Sequence, residues 1–282
     1  MKKLIISAET TCDLPAQILQ KHDFRVIPIA VILGTEMYKD GVDVTTEQLF
    51  NYVKETGSLP KTSAVSVAEY ADFFAELKKE CECVLHIALS SKASTSCNNA
   101  RTAAEEVGGV YVVDSKALST GQALLMLKAH DLLSEGLDAK TVYERTLEAV
   151  DKVQTPFVVD TLEYLAKGGR CSQAALIASK ILKIHPYIAE SDGQLVVKKK
   201  YMGSLQTSLS RYVTDVASEY HNYDRRRAFV THSPCEGRER VEEVIAKVKE
   251  LFDFEEVIET EAGATVSTHC GKNTIGVLFI NE

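Results

Sequence analysis

The sequence lacks several features that would place it quickly. No apolar run approaches the roughly 20 residues of a membrane span. The N-terminal Met1-Lys2-Lys3-Leu4-Ile5-Ile6 turns polar at once, unlike a signal peptide. A cytoplasmic protein with no stable membrane insertion is the expectation. Excess positive charge is also missing: 32 Lys and Arg stand against 40 Asp and Glu, for a net charge of −8. That argues against broad nucleic-acid binding, although a local basic patch remains open. The phosphate-cradling G-x-x-x-x-G-K-[ST], a G-x-G-x-x-G after a strand, the nucleophile elbow G-x-S-x-G and the zinc motif H-E-x-x-H are all absent. The seven cysteines are irregularly spaced with no paired C-x-x-C, and the seven histidines form no i, i+4 pair. A metal site is therefore not expected, and scattered thiols fit a reducing compartment.

What is present is an alternation of short apolar runs, hydroxyl-rich loops and amphipathic stretches. Residues 83–89 form an apolar run of strand length, suited to burial on both faces of a parallel sheet. Ser90-Ser91-Lys92-Ala93-Ser94-Thr95-Ser96 follows, and a helical pattern opens at Asn98. Ligands of open α/β sheets sit beyond the carboxyl ends of the strands, where helix N-termini offer free N–H groups. Either Ser94 or Thr95 could simply cap the helix, but a cap takes one residue and this run holds five hydroxyls. The theme repeats at the N-terminus: a strand at 4–6, the loop Ser7 to Asp13, then Pro15 opening a helix.

The rest of the first half reads as a strand over 25–33 with an edge or bulge at Pro28, and a helix over 46–55 with Thr46 as a possible cap. Helices over 67–79, 119–133 and 139–150 and a strand over 110–113 complete it. Thr62-Ser63 is a second hydroxyl pair, serving either as turn and cap or as ligand contact. Past about Val153 the texture changes. Helices are expected over 172–182, 205–220 and 238–251, with strands over 228–231, 256–259 and 275–280. Ser191-Asp192-Gly193 marks a hairpin between 184–189 and 194–197. The fold class is α/β in two domains: 1–153 with a doubly wound, mostly parallel sheet, and 154–282 with a mixed or antiparallel sheet. His86 lies inside an apolar strand and reads as a core residue. His269 lies in a polar stretch read as a flexible loop, either a binding residue or a surface histidine. Arg170, after Gly168-Gly169, is a surface charge or an anion or partner contact.

Thr161-Leu162-Glu163-Tyr164-Leu165-Ala166-Lys167-Gly168-Gly169-Arg170 resembles the T-L-E-Y-L-x-K-G-G-R stretch of the DegV family of bacterial fatty-acid-binding proteins. Thr10-Thr11-Cys12-Asp13-Leu14, Pro60-Lys61-Thr62-Ser63, Ser90 to Thr95, Val113-Asp114-Ser115, Ile184-His185-Pro186 and Thr268-His269-Cys270-Gly271 are similar to its other motifs. The resemblance implies a long-chain fatty acid between and within two α/β domains, with its tail in the N-terminal one. It further implies a carboxylate held by Thr62, Ser63, Ser94, Thr95 and His269. No cofactor or metal is implied, and the protein would be a carrier rather than an enzyme. In some members a separate kinase phosphorylates the bound acid, which would put Arg170 on the surface that meets it. The chain departs from the family in carrying Thr95 for Gly, Ala64-Val65 for Gln-Pro, Met202 for Arg and Lys272-Asn273 for Pro-Gly. Met202 removes one of two expected basic kinase contacts. The competing readings are a hydrolase or acyl-transfer enzyme using Ser94, Cys12, Cys97 or Cys270 with His269, and a binder of a small carbonyl compound at His269.

Overall fold

The structure is a computed structural model that describes residues 1–171 and 184–282. The helix expected over 172–182 lies outside the described residues. The first half holds β1 (Lys2–Glu9), β2 (Arg25–Ile27), β3 (Ala30–Leu33), β4 (Glu36–Lys39), β5 (Lys61–Ser63), β6 (Cys81–Ala88) and β7 (Val110–Asp114). Its helices are α1 (Ala16–Lys21), α2 (Thr46–Thr56), α3 (Val67–Lys78), α4 (Ser96–Val107), α5 (Thr120–Ser134) and α6 (Ala139–Val150). Strands β2-β1-β6-β7 make a parallel sheet in that order. Alternate side chains of β1 serve opposite faces. Leu4, Ile6 and Ala8 pack with residues of α5 and α6, while Ile5 packs with Tyr70 and Phe74 of α3 and Ala100 of α4.

The strand expected over 25–33 is broken at Pro28. Proline has no N–H to continue the ladder. The chain therefore leaves the parallel sheet and β3 starts a small antiparallel sheet, β4-β3-β5, in which Thr62 lies opposite Val31 and Ser63 opposite Ala30. Thr62 and Ser63 thus sit on a strand and cap nothing. The following helix is capped by Ser66, which forms a capping box with Glu69. Likewise Thr45, boxed with Gln48, caps α2 in place of Thr46.

The second half holds β8 (Val153–Gln154), β9 (Phe157–Val158), α7 (Glu163–Gly168), β10 (Ile184–Ser191), β11 (Gln194–Met202), α8 (Leu205–Glu219), β12 (Arg227–His232), α9 (Arg238–Leu251), β13 (Glu256–Glu261), α10 (Ala264–Cys270) and β14 (Ile275–Ile280). They form a mixed sheet of order β11-β10-β9-β14-β12-β13, with β8 on β14 and only β12–β13 parallel. The hairpin turn Asp192-Gly193 has φ of 49° and 78°, the two positive values a tight two-residue turn needs. Helices α8 and α9 cover one face through Tyr212, Val213, Val244 and Val248.

The other face of this sheet meets α5. Leu278 and Ile280 of β14 share one core with Leu124, Leu125 and the β1 side chains. Residues 120–127 of α5 are all buried, as expected of a helix enclosed between two layers. Helix α5 is therefore the common wall of both sheets, and it places the carboxyl ends of β1 and β6 beside α7 and α10. Among the described residues no helix is long and apolar enough to cross a membrane.

Candidate functional site

His269 is not on a loop. It sits in the last turn of α10, which packs against α7, α2 and the edge of the small sheet. Its Nε2 lies 2.9 Å from Thr62 Oγ1, so β5 and α10 meet at this pair. Its Nδ1 is buried with no partner, beside Gly168. A Cβ on Gly168 would lie 2.7 Å from Nδ1, so only glycine lets the imidazole pack there. Gly271, at φ 75°, similarly admits the Tyr164 ring, which a Cβ would meet at 2.7 Å. The two close approaches lock α7 against α10. Burial, helped by the positive charge of Arg170, pushes the His269 pKa down to about 4. At neutral pH the ring is uncharged and works as a hydrogen-bonding group.

The hydroxyl run divides its tasks. Ser94 Oγ accepts the Ser96 N–H at 3.1 Å and lies 3.0 Å from Ser96 Oγ, so it both starts α4 and lines the site. Ser90 Oγ donates to the Gly193 carbonyl at 2.7 Å, which ties the loop to the hairpin. Thr95, expected in the site, is already helical (φ −75°, ψ −7°), makes no capping bond, is exposed and does not line the cavity. Its side chain leaves with the first turn of α4.

Thr62, Ser63, Ser94, His269 and Arg170 border one cavity of about 700 Å³, counting its open mouth. Its walls are apolar and come from both halves of the chain: Ile29, Leu89 and Leu118 from one, Phe157, Leu165 and Val266 from the other. A second chamber of about 400 Å³ shares Leu118, Phe157, Val266 and Cys270 with the first. It runs between the start of α5 and the mixed sheet, past Thr231 and Leu278. A second apolar space thus lies along the seam between the two halves of the chain. A cluster of buried polar groups stands at the end of the parallel sheet. Glu9, wholly buried, accepts from Tyr70 Oη at 2.5 Å, the Leu89 N–H at 3.0 Å and Gln122 Nε2 at 2.8 Å, with His86 Nε2 at 3.4 Å. His86 is thus a satisfied core residue, its Nδ1 lying 3.0 Å from Ser7 Oγ.

Arg170 is exposed at the cavity mouth and donates to the Gly168 carbonyl at 2.6 Å. Met202, at the end of β11, is 69% exposed. The geometry does not favour nucleophilic chemistry. Ser94 Oγ is bonded to Ser96, Nε2 of His269 faces Thr62, and its Nδ1 meets no carboxylate. Burial pushes the Cys12, Cys97 and Cys270 thiols up to about 12, so none is a thiolate at neutral pH. Among the described residues no group of three or more His, Cys, Asp and Glu could hold a metal ion.

The model for an uncharacterised protein of the DegV family matches residues 3–282. A DegV domain-containing protein of Clostridium acetobutylicum is 30% identical over 285 residues, covering all of both chains. Among solved structures, a fatty-acid-binding DegV family protein of Thermus thermophilus superposes with a TM-score of 0.90 at 27% identity, covering 99% of this chain and 100% of that one. A stearic-acid-binding protein of Eubacterium ventriosum does so with a TM-score of 0.81 at 25% identity, covering 100% of this chain and 98% of that one. A match from end to end shows that this chain belongs to the DegV family.

Proposed function

We propose that the protein binds one long-chain fatty acid and carries it without hydrolysing it. The observation that carries this reading is the pair of adjoining apolar chambers with the Thr62–His269 pair on the rim of the outer one. The carboxylate would take hydrogen bonds from Thr62, Ser63, Ser94 and a neutral His269, with the Arg170 charge close by. The tail would run along the seam between units 1–153 and 154–282. The relatives' ligands support the same class of molecule. Presentation to a fatty acid kinase is a further part of the proposal: Arg170 stands at the mouth for such a contact, while Met202 offers an apolar side chain where a basic one would serve. Chain length and saturation follow from the shape of the inner chamber.

Mass spectrometry of the purified protein, native and after solvent extraction, tests the reading. A non-covalent mass that extracts as a fatty acid is expected. A protein that is empty and also refuses added stearate would overturn it. Two substitutions apportion the head-group contacts. Ser94→Ala removes one hydrogen bond to a charged group, about 1.5–3 kcal/mol at most, so stearate affinity falls by roughly ten- to a hundredfold and binding persists. Total loss of binding would contradict a tail-dominated affinity. Gly168→Ala puts a methyl where His269 Nδ1 sits. Displacement of the ring is expected to weaken stearate binding by about tenfold and to shift the His269 ring resonances in NMR spectra.

A further inference from the structure

Helix α10 begins against two buried carboxylates that stand behind the cavity wall, one bonded to Thr265 of the outer chamber and the other to Ser119 of the inner one. Asp13 Oδ1 accepts the Gly263 N–H at 2.8 Å, and the two oxygens of Asp40 accept the Ala264 and Thr265 N–H groups at 2.9 and 3.1 Å. Asp13 and Asp40 are only 6% and 2% exposed. Both come from the first half of the chain, more than 200 residues from the helix they hold. They converge on one backbone atom: a Cβ on Gly263 would lie 3.1 Å from both Asp40 oxygens and 3.3 Å from Asp13 Oδ1. Neither has an ion-pair partner among the described residues.

One side-chain oxygen is enough for an ordinary cap. Two adjacent buried carboxylates cannot both ionise cheaply, and such pairs commonly share a proton. The hydrogen bonds indicate where it resides. Both Asp40 oxygens are engaged as acceptors of backbone N–H groups. Asp13 has Oδ2 free of N–H groups, 2.5 Å from Ser119 Oγ. Ser119 is held at φ 55° and ψ −143°, a costly conformation for a residue with a Cβ, and it lines the inner chamber.

We propose that Asp13 and Asp40 share a single proton and act as a clamp that positions the His269 helix, so that ligand affinity depends on that proton. The proposal rests on the fatty-acid reading. Burial above all, with the Asp40 charge adding to it, pushes the Asp13 carboxyl up to about 8 against the hydrogen bonds from Ser119 and Gly263. The other titratable groups packed around the pair do not offset this. The Cys12 and Cys270 thiols stay neutral, Glu261 accepts from Thr46, and His232 lies against Glu259. Below about pH 8 the clamp holds one proton and is closed. As pH rises through that value Asp13 ionises, and the start of α10 is released toward water.

Stearate titrations of the full chain between about pH 6.5 and 9.5 read the effect, with Asp13→Asn titrated in parallel so that any pH dependence of the ligand itself cancels. Wild-type affinity is expected to fall by about tenfold or more across that range. Asp13→Ala weakens binding, whereas Asp13→Asn restores most of it and removes the pH dependence, because an amide keeps the Gly263 acceptor and donates to Ser119. Asp40→Asn binds weakly at every pH, because an amide offers one acceptor where two N–H groups arrive. Amide exchange in the ligand-free protein, corrected for intrinsic rates, separates this from the carrier reading. Protection at 263–265 is expected to drop above about pH 8 in the wild type and not in Asp13→Asn. Exchange that is flat with pH, or an Asp13→Asn variant as impaired as Asp40→Asn, overturns the clamp. A protein that binds no stearate at any pH overturns the carrier reading, and exchange then decides the clamp by itself.

Discussion

Val266→Trp is expected to weaken stearate binding on the order of 100-fold or more while leaving the protein folded. Val266 lines both chambers and is only partly buried, so a larger side chain at this position grows into the passage between them. Affinity for an acyl chain comes mainly from its methylenes, at about 0.8 kcal/mol each. Excluding four of them from the inner chamber removes about 3 kcal/mol, or on the order of 100-fold in affinity, before any strain is counted. Truncating the ligand makes the complementary measurement. A shorter acid that needs only the outer chamber should bind the variant and the wild type alike. Equal stearate affinity in both proteins, with an unchanged melting curve, would show that the tail does not pass Val266.

Glu9→Ala is expected to be strongly destabilising. Glu9 is fully buried and receives Tyr70, Gln122 and the Leu89 N–H, with His86 alongside. Its removal leaves those buried groups without their acceptor, a loss of about 3–5 kcal/mol by analogy with other broken buried pairs. For a chain of this size that lowers the melting temperature by roughly 10 °C. Leu89 and Thr11 line the cavity, and Thr11 bonds the same Gln122, so weaker ligand binding should accompany the loss. The carboxyl also carries a pH signature. Burial pushes its pKa up, but the pull of His86 and the hydrogen bonds from His86 and Tyr70 outweigh that and hold it below the usual 4.5. A lowered native pKa means stability present above the unfolded value and lost as pH falls through the native one. The wild type should therefore lose stability below about pH 4.5 more steeply than Glu9→Ala. Parallel acid limbs in the two unfolding profiles would count against an ionised, paired Glu9.

Elements whose signals are local were legible in the sequence. Helix α6 runs over 139–150 as read, because Asp138 accepts the N–H groups of its first turn and its apolar residues recur at helical spacing. The hairpin at Asp192-Gly193 was readable because few residues tolerate two consecutive positive φ values. Thr62, Ser63, Ser94 and His269 were readable as a group only through motif resemblance, since nothing in their spacing says that strand β5 will meet a helix some 200 residues later. Helix α10 was not legible. Its Ala-Thr-Val-Ser-Thr-His-Cys has little helix propensity, and the carboxylates that hold its first turn come from the other half of the chain. Glu9 gave one overlooked sign: a carboxylate ending an apolar strand must find partners or neutralise.

By itself, then, the order of residues determined the alternation of strands and helices, the change of texture near Val153 and the hydroxyl-rich strand ends, because apolar periodicity and turn chemistry act over a few residues. Tertiary structure decided the rest. The exit of β3 at Pro28 brings Thr62 to His269, Gly168 makes room for the ring, and Asp13 and Asp40 turn an unpromising loop into a helix. The buried polar cluster around Glu9 ends the parallel sheet beside the cavity, and a second apolar space lies along the seam beside α5. Each of these depends on which distant groups share a buried volume, where an unpaired polar atom is expensive and an unfilled apolar space is available to a ligand.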